Sequence, residues 1–328
     1  MFLKFLITIA VSIIIFFGLA FGLILSERPV VLSEQQGLDF SKPMANRFET
    51  PQSSAFLRKS FEARDGTQLN YTHVSAKGAE ALPLVIMLHG SGWYGGQFDA
   101  LAWALRDVAE VKALTLRGHG ATPERRGDIS YLGQFEDDIA DLIGETDRKV
   151  ILLGHSSGGG LAVRFAGGIY GARLSGAILL APFLKYDAPV TKQKSGGWAF
   201  PLTRRIIGLS MLNGVGVHAL DGLTVIQFNM PAAVLNGPMG HYATTAYSWR
   251  LNSSFAPRTD YLADVAKLAK FLLVVGSDDE AFEAEGFAPL MSSVTDQGTY
   301  HVVDGVSHLD IVDHPRTEAL IREYLSDL

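Results

Sequence analysis

The chain opens on an unbroken apolar run, "FLITIAVSIIIFFGLAFGLIL" (5–25), with no charge and only Thr8 and Ser12 carrying hydroxyls. As a helix it spans about 31 Å, enough for the hydrocarbon core of a bilayer. A cleaved signal peptide has a shorter apolar core of about 7–15 residues. The run therefore predicts an uncleaved anchor. The small residues Gly18, Ala20 and Gly22 leave a cleaved signal, and so a secreted protein, as the alternative. Lys4 and the amino terminus precede the span, and Glu27 and Arg28 follow it, so the charge bias predicts a body on the exported side. Removal of residues 1–29 is expected to leave a soluble protein.

Polar, Pro- and Ser-containing sequence follows, and the pattern changes near residue 60. Two alternating runs flank Asp65-Gly66 within 60–76, a hairpin signal. A short, continuous apolar run at 82–88 predicts a buried parallel strand, and further strands are read at 111–116, 149–153, 174–181, 270–276 and 298–305. Helical spacing falls between them, at 97–109, 134–146, 156–169, 281–292 and 315–327. Strands alternating with helices imply a largely parallel sheet covered on both faces. Residues 185–255 break the rhythm, with possible short helices near 200–212 and 231–236. They read as a cap inserted over one sheet edge. The predicted organisation is an anchor at 1–28, a linker at 29–58 that lets the body stand off the membrane, and a body at 59–328 carrying the cap.

Composition narrows the chemistry. The 328 residues carry a net charge of −6, with no dominant basic field for nucleic acid. There is no cysteine, which excludes disulfides, thiolate zinc sites and a cysteine nucleophile. The cap holds six Lys/Arg (Lys185, Lys192, Lys194, Arg204, Arg205, Arg250) against Asp187 and Asp221. A basic, apolar cap on a tethered body suits an anionic lipid surface.

The candidate chemistry lies in "KVILLGHSSGGGLAVRF" (149–165). Two serines follow a strand and open a helix. Such a tight turn strains its central residue and crowds the positions two before and two after. Ser156 has Gly154 and Gly158 there, whereas Ser157 has His155 and Gly159. Ser156 is thus the candidate nucleophile, and the Ser157 amide can donate to an oxyanion. A serine needs a base, and the base an orienting carboxylate. His308, just beyond a strand in "DGVSHLDIV", is the best base. His301 falls inside a strand, His314 precedes Pro315 at a helix start, and His89 reads as a structural hydrogen-bonder. For the acid, "VVGSDDEAF" (274–282) offers Asp279 first, then Asp278, then Glu280. The second oxyanion donor is assigned to Ser91 in "LHGSG" (88–92), with Gly92 as the alternative.

With these residues in place, the chain resembles the α/β-hydrolase superfamily. It is similar to the monoglyceride lipase, lysophospholipase-like and serine aminopeptidase branch. The resemblance rests on "FEARDGTQLNY" (61–71), "VIMLHGSG" (85–92), "LRGHG" (116–120), "ERRGDISYLGQFEDDIADLI" (124–143), "LLGHSSGG" (152–159), "VVGSDDEAF" (274–282) and "GVSHLDI" (305–311). Its nucleophile, acid and base map onto Ser156, Asp279 and His308, and its oxyanion donors onto Ser91 and Ser157. Thr115 stands where relatives often carry Asp, and Ser157 where lipolytic relatives commonly carry Met or Gln. The resemblance implies a serine hydrolase acting on a small-molecule acyl ester, lipids such as monoacylglycerols and lysophospholipids among them. No cofactor or metal is required. Phe183, Trp198, Phe200, Met211, Phe228, Met230, Met239, Tyr242 and Trp249 are the candidate lining of an acyl pocket. A peptidase or amidase of the same fold is the alternative, although the cap is poor in the acids that would hold an ammonium. A non-catalytic binding protein on this scaffold is the second alternative.

Overall fold

Four continuous apolar segments, β3 (Leu84–Leu88), β5 (Val150–His155), β6 (Gly176–Leu180) and β10 (Phe271–Gly276), are buried along their whole length. Strands of this kind need cover on both faces, which the intervening helices supply. The computed structural model describes residues 1–32, 37–41, 51, 53–78 and 82–328. It has an eight-stranded sheet in the order β1-β2-β4-β3-β5-β6-β10-β11. Here β1 is Phe56–Glu62, β2 Gln68–Val74, β4 Glu110–Leu114 and β11 Gly298–Val303. β1 and β2 form the predicted hairpin and join β4 antiparallel, while all other neighbours run parallel. Gly66 at the hairpin turn has φ +84°, a conformation that glycine adopts without strain.

This order positions the site. From β3 the chain adds β4 on one side, then returns to add β5 on the other. The loops after β3 and β5 therefore diverge at a crevice above the sheet's carboxyl edge, where open α/β sheets bind ligands.

The cap contains structure that the sequence pattern does not reveal. Besides a helix at Thr203–Gly214, it forms a three-stranded antiparallel sheet of β7 (Ala199–Pro201), β8 (Thr224–Phe228) and β9 (Ala246–Ser248). These strands, of three to five residues, are too short to show a period. The cap lies over the strand carboxyl ends, not over a sheet edge. The Thr244 amide donates to the Gly92 carbonyl after β3, and the Ser248 amide to the Gly127 carbonyl after β4.

The N-terminal helix, Phe2–Leu25, has a mean hydropathy of 2.7 and is long and apolar enough to cross a membrane. Its first half is exposed, but Ala20 and Ile24 are buried against Leu209, Leu212, Val225 and Trp249 of the cap. The two helices cross so closely that a Cβ on Gly208 would lie 2.6 Å from the Ala20 carbonyl oxygen. Their ends cap each other. Glu27 Oε2 accepts from the Arg204 amide at 2.7 Å, and Arg205 Nε donates to the Ile24 carbonyl at 3.3 Å. Free amides at a helix start favour a carboxylate, and free carbonyls at a helix end favour a cation.

Much of the predicted linker lies outside the described residues. What is described packs on the body: Gln227 exchanges two hydrogen bonds with the Val30 backbone, at 2.9 and 2.7 Å, and Leu38 and Phe40 are buried. At Val30, Leu38 and Phe40 the described part of the segment is thus held against the body instead of standing off from it. Removing residues 1–29 would uncover Leu209, Leu212 and Val225, so the truncated chain should self-associate instead of being simply soluble. Gly208→Leu tests the contact within the full chain. The added side chain meets backbone that cannot yield, at a cost of about 1–3 kcal/mol. Protease cleavage between residues 26 and 32 in detergent should then accelerate about tenfold. An unchanged cleavage rate would mean the helix is not held there.

Candidate functional site

The turn at the end of β5 is built around Ser156, whose φ of 55° and ψ of −121° lie outside the regions open to ordinary residues. Such a backbone costs on the order of 1–3 kcal/mol and survives only where its surroundings enforce it. Here they do. The Ser156 amide donates to the Leu180 carbonyl, and its own carbonyl accepts from the Gly160 and Phe183 amides. A Cβ on Gly154 would lie 2.2 Å from the Gly158 carbonyl oxygen, and one on Gly158 would lie 2.0 Å from that of Leu88. No other residue fits at either position. Ser157 begins the helix Ser157–Gly167, so the strained position is that of Ser156.

The loops after β10 and β11 bring in the other two groups. His308 Nε2 lies 3.0 Å from Ser156 Oγ, and His308 Nδ1 lies 2.8 Å from Asp279 Oδ2. Asp279 and His308 are each only 1 % exposed. Burial alone would raise the Asp279 carboxyl. The His308 ring and the amides of Ala281 and Phe282, which donate to Oδ1 at 2.8 and 2.9 Å, outweigh it and hold the group below the usual carboxylate range. Asp278 is exposed, and its carboxylate accepts from the Ser277 hydroxyl instead of facing His308. His301 lies in β11, away from this cluster, and His314 caps the helix Pro315–Ser326.

The Ser91 and Ser157 side chains bond to each other at 2.7 Å beside Ser156. The Ser91 amide makes no hydrogen bond among the described residues, and the Ser157 amide is one of the unpaired donors of a helix start. Both are therefore available to an oxyanion. The Gly92 amide is not, since it donates to Tyr247 Oη at 2.6 Å. The Tyr247 hydroxyl in turn donates to His119 Nε2 at 2.7 Å. Burial lowers His119 to about 4, so its ring is neutral and can accept.

Sequence reasoning missed the residues that hold His308. His155, the unspecified residue of the serine motif, donates from Nε2 to the His308 carbonyl at 2.9 Å, while its Nδ1 accepts from Gln97 at 3.2 Å. Burial first, and then His308, push His155 down to about 3, which fixes it as a neutral spacer. Glu280 Oε2 accepts the His308 amide at 2.8 Å. His89 is buried, with Nδ1 donating to the Gly90 carbonyl and Nε2 accepting from the Leu116 amide.

Ser156 and His308 open on a cavity of about 520 Å³ whose walls include Trp93, Trp198, Met230 and Met239. A smaller chamber of about 60 Å³ lies on the Ser157 side, between Phe183, Phe228 and Phe282. The remaining aromatic and Met candidates are elsewhere. Met211 and Trp249 pack against the N-terminal helix, Tyr242 stacks on Tyr94 at 3.9 Å, and Phe200 lies under Lys194.

Comparison with known proteins agrees with this architecture. The monoacylglycerol lipase of Mycolicibacterium smegmatis is 24% identical over 287 residues, covering 84% of this chain and 97% of its own. A probable protein phosphatase methylesterase 1 of Caenorhabditis elegans is 36% identical over 121 residues, 35% of this chain and 32% of its own length. The chain thus spans only about a third of the methylesterase. Among solved structures, a soluble variant of monoglyceride lipase from Saccharomyces cerevisiae superposes with a TM-score of 0.64 at 18% identity, over 85% of this chain and 97% of its own. A membrane phospholipase A described as a bacterial virulence factor superposes at 0.58 and 18%, over 83% and 86%. These structures share the fold. The model of the alpha/beta hydrolase family matches residues 85–319, well over half of the sequence, and the chain belongs to that family of hydrolases.

Proposed function

We propose that the protein is a serine carboxylic ester hydrolase of the lipase, lysophospholipase or esterase type. The observation that carries this reading is the continuous relay Asp279–His308–Ser156, at 2.8 and 3.0 Å, at the base of a largely apolar cavity. His308 Nε2 takes the proton of Ser156 as Oγ attacks the ester carbonyl. The amides of Ser91 and Ser157 receive the developing oxyanion, aided by the positive end of the helix that starts at Ser157. Asp279 holds Nδ1–H, so Nε2 is the basic nitrogen, and balances the imidazolium. His308 then returns the proton to the leaving alcohol. Water, activated by the same ring, releases the acid from the acyl-enzyme.

The monoacylglycerol lipase similarity and the apolar cavity support an acyl ester, with lipid esters included. The apolar N-terminal helix supports a single-pass anchor, with the body at 59–328 on the exported side and the cap at about 185–255. Its close packing on the cap favours retention over cleavage, which would make the enzyme secreted. One observation favours a second reading, an amidase or peptidase. Asp99 and Asp313 place carboxylates on the cavity wall, where they suit an ammonium, although Asp99 already pairs with Arg58 at 2.7 Å.

The test is to assay the full chain in detergent against p-nitrophenyl esters of graded length and, in parallel, aminoacyl anilides. Ester turnover should exceed anilide turnover by at least about 100-fold in kcat/KM, a transition-state difference of roughly 2.7 kcal/mol. Faster cleavage of the anilides would replace the esterase reading with the second one.

A further inference from the structure

Two apolar side chains stand out in the polar stretch that follows the N-terminal helix. Leu38 and Phe40 are 9% and 8% exposed, while Asp39 between them faces outward. This alternation is that of an extended strap with one side turned inward. The strap precedes the region that matches the hydrolase family, which begins at residue 85. Its inward side chains line the cavity that holds Ser156 and His308. The Phe40 ring lies 6.2 Å from that of Trp93 and 5.7 Å from that of Trp198, so it joins an aromatic from the loop after β3 to one from the cap.

The strap is also tied to the base. The Asp39 amide donates to Glu280 Oε1 at 3.0 Å, and the other oxygen of that carboxylate accepts the His308 amide at 2.8 Å. One side chain thus fixes both the strap and the loop that carries the histidine. Two interior side chains and a backbone tie are more than a passive connection needs.

We propose that Leu38 and Phe40 are specificity-determining residues, forming one wall of the acyl cavity. Acyl-length selectivity is then set in part by a segment outside the family domain. The proposal rests on the ester-hydrolase reading above. A short acyl group held at Ser156 would not reach this wall. A longer chain would lie along it and lose its cover when the wall is removed.

The test uses the full chain in detergent and kcat/KM for p-nitrophenyl acetate, butyrate, octanoate and laurate. In the double variant Leu38→Ala, Phe40→Ala, the acetate value should stay within threefold of the parent, while octanoate and laurate fall about tenfold or more, the scale of losing one well-buried apolar contact. Phe40→Leu should keep most of the long-chain rate. Phe40→Trp, which fills the cavity, should lower laurate selectively, and it decides the matter if the double variant does not fold. A parallel fall at every length would reduce the strap to support for His308 and overturn the proposal, as would no change at any length. Stoichiometric reaction of a small organophosphonate with Ser156 separates the two levels. If the parent neither reacts nor hydrolyses any ester, the hydrolase reading fails. If it does both and the length profile does not move, only the wall fails.

Discussion

Ser156→Ala should lower ester turnover by on the order of 10⁴-fold or more, while Ser157→Ala stays within about tenfold of the parent enzyme. The two residues are adjacent, equally small and equally hydroxylic, so composition cannot separate them. Geometry does. Only Ser156 Oγ lies within reach of His308 Nε2, at 3.0 Å, and only Ser156 occupies the strained turn. Alanine at 156 keeps the backbone and the cavity but leaves no atom to form the acyl-enzyme. Alanine at 157 keeps the amide proposed to serve the oxyanion and loses only the 2.7 Å bond to Ser91 Oγ. Such a bond contributes roughly 0.5–1.5 kcal/mol, which bounds the damage near tenfold. Steady-state rates on p-nitrophenyl butyrate, with thermal unfolding as a control, decide the matter. Comparable losses in two folded variants would remove Ser156 from the role of nucleophile.

The legible parts of this molecule are those where one local constraint acts alone. The interior strands show as apolar runs because both faces are covered. The serine turn shows because its crowding forbids any side chain at 154 and 158. The preference for Asp279 over Asp278 rests on the count of residues past Gly276, since a side chain must clear the strand before it can turn toward the histidine, and Asp279 is the one that lies 2.8 Å from His308 Nδ1. What stayed hidden depends on partners distant in sequence. His155 is a variable position in the motif, and its contact is with a carbonyl 153 residues away. Glu280 ranked third as an acid because nothing in "SDDEAF" reveals that it bonds backbone amides at 39 and 308. The cap strands have three to five residues each, too few to carry a period. The contact of Ala20 with Gly208 was invisible for a different reason. A uniformly apolar helix has no distinct face, so its composition does not reveal which side meets protein.

Asp279→Asn should cost about 10³–10⁴-fold in turnover at neutral pH, whereas Asp278→Asn should change it less than twofold. The argument follows from the partners of the two carboxylate oxygens. Oδ1 accepts from the amides of Ala281 and Phe282, and Oδ2 accepts from His308 Nδ1. Every contact is thus with a donor. Asparagine has one acceptor oxygen and must turn its amino group toward one side. If that group faced Ala281 and Phe282, donors would oppose donors in a buried site, at a cost of about 1–3 kcal/mol. If it faces His308 instead, Nδ1 becomes an acceptor and the ring proton moves to Nε2. That nitrogen then points a hydrogen at Ser156 Oγ and can no longer take its proton. Asparagine preserves the shape of the site, so the loss should fall on kcat with little change in KM. Asp278, whose exposed carboxylate accepts from Ser277 and whose amide donates to the Val306 carbonyl, reaches neither group. The loss should shrink as pH rises, since hydroxide can deprotonate the serine without the ring, and a loss that stays constant from pH 7 to 10 would argue for misfolding. If Asp278→Asn proved the more damaging change, the orienting acid would be Asp278, and the relay through Asp279 would have to be abandoned.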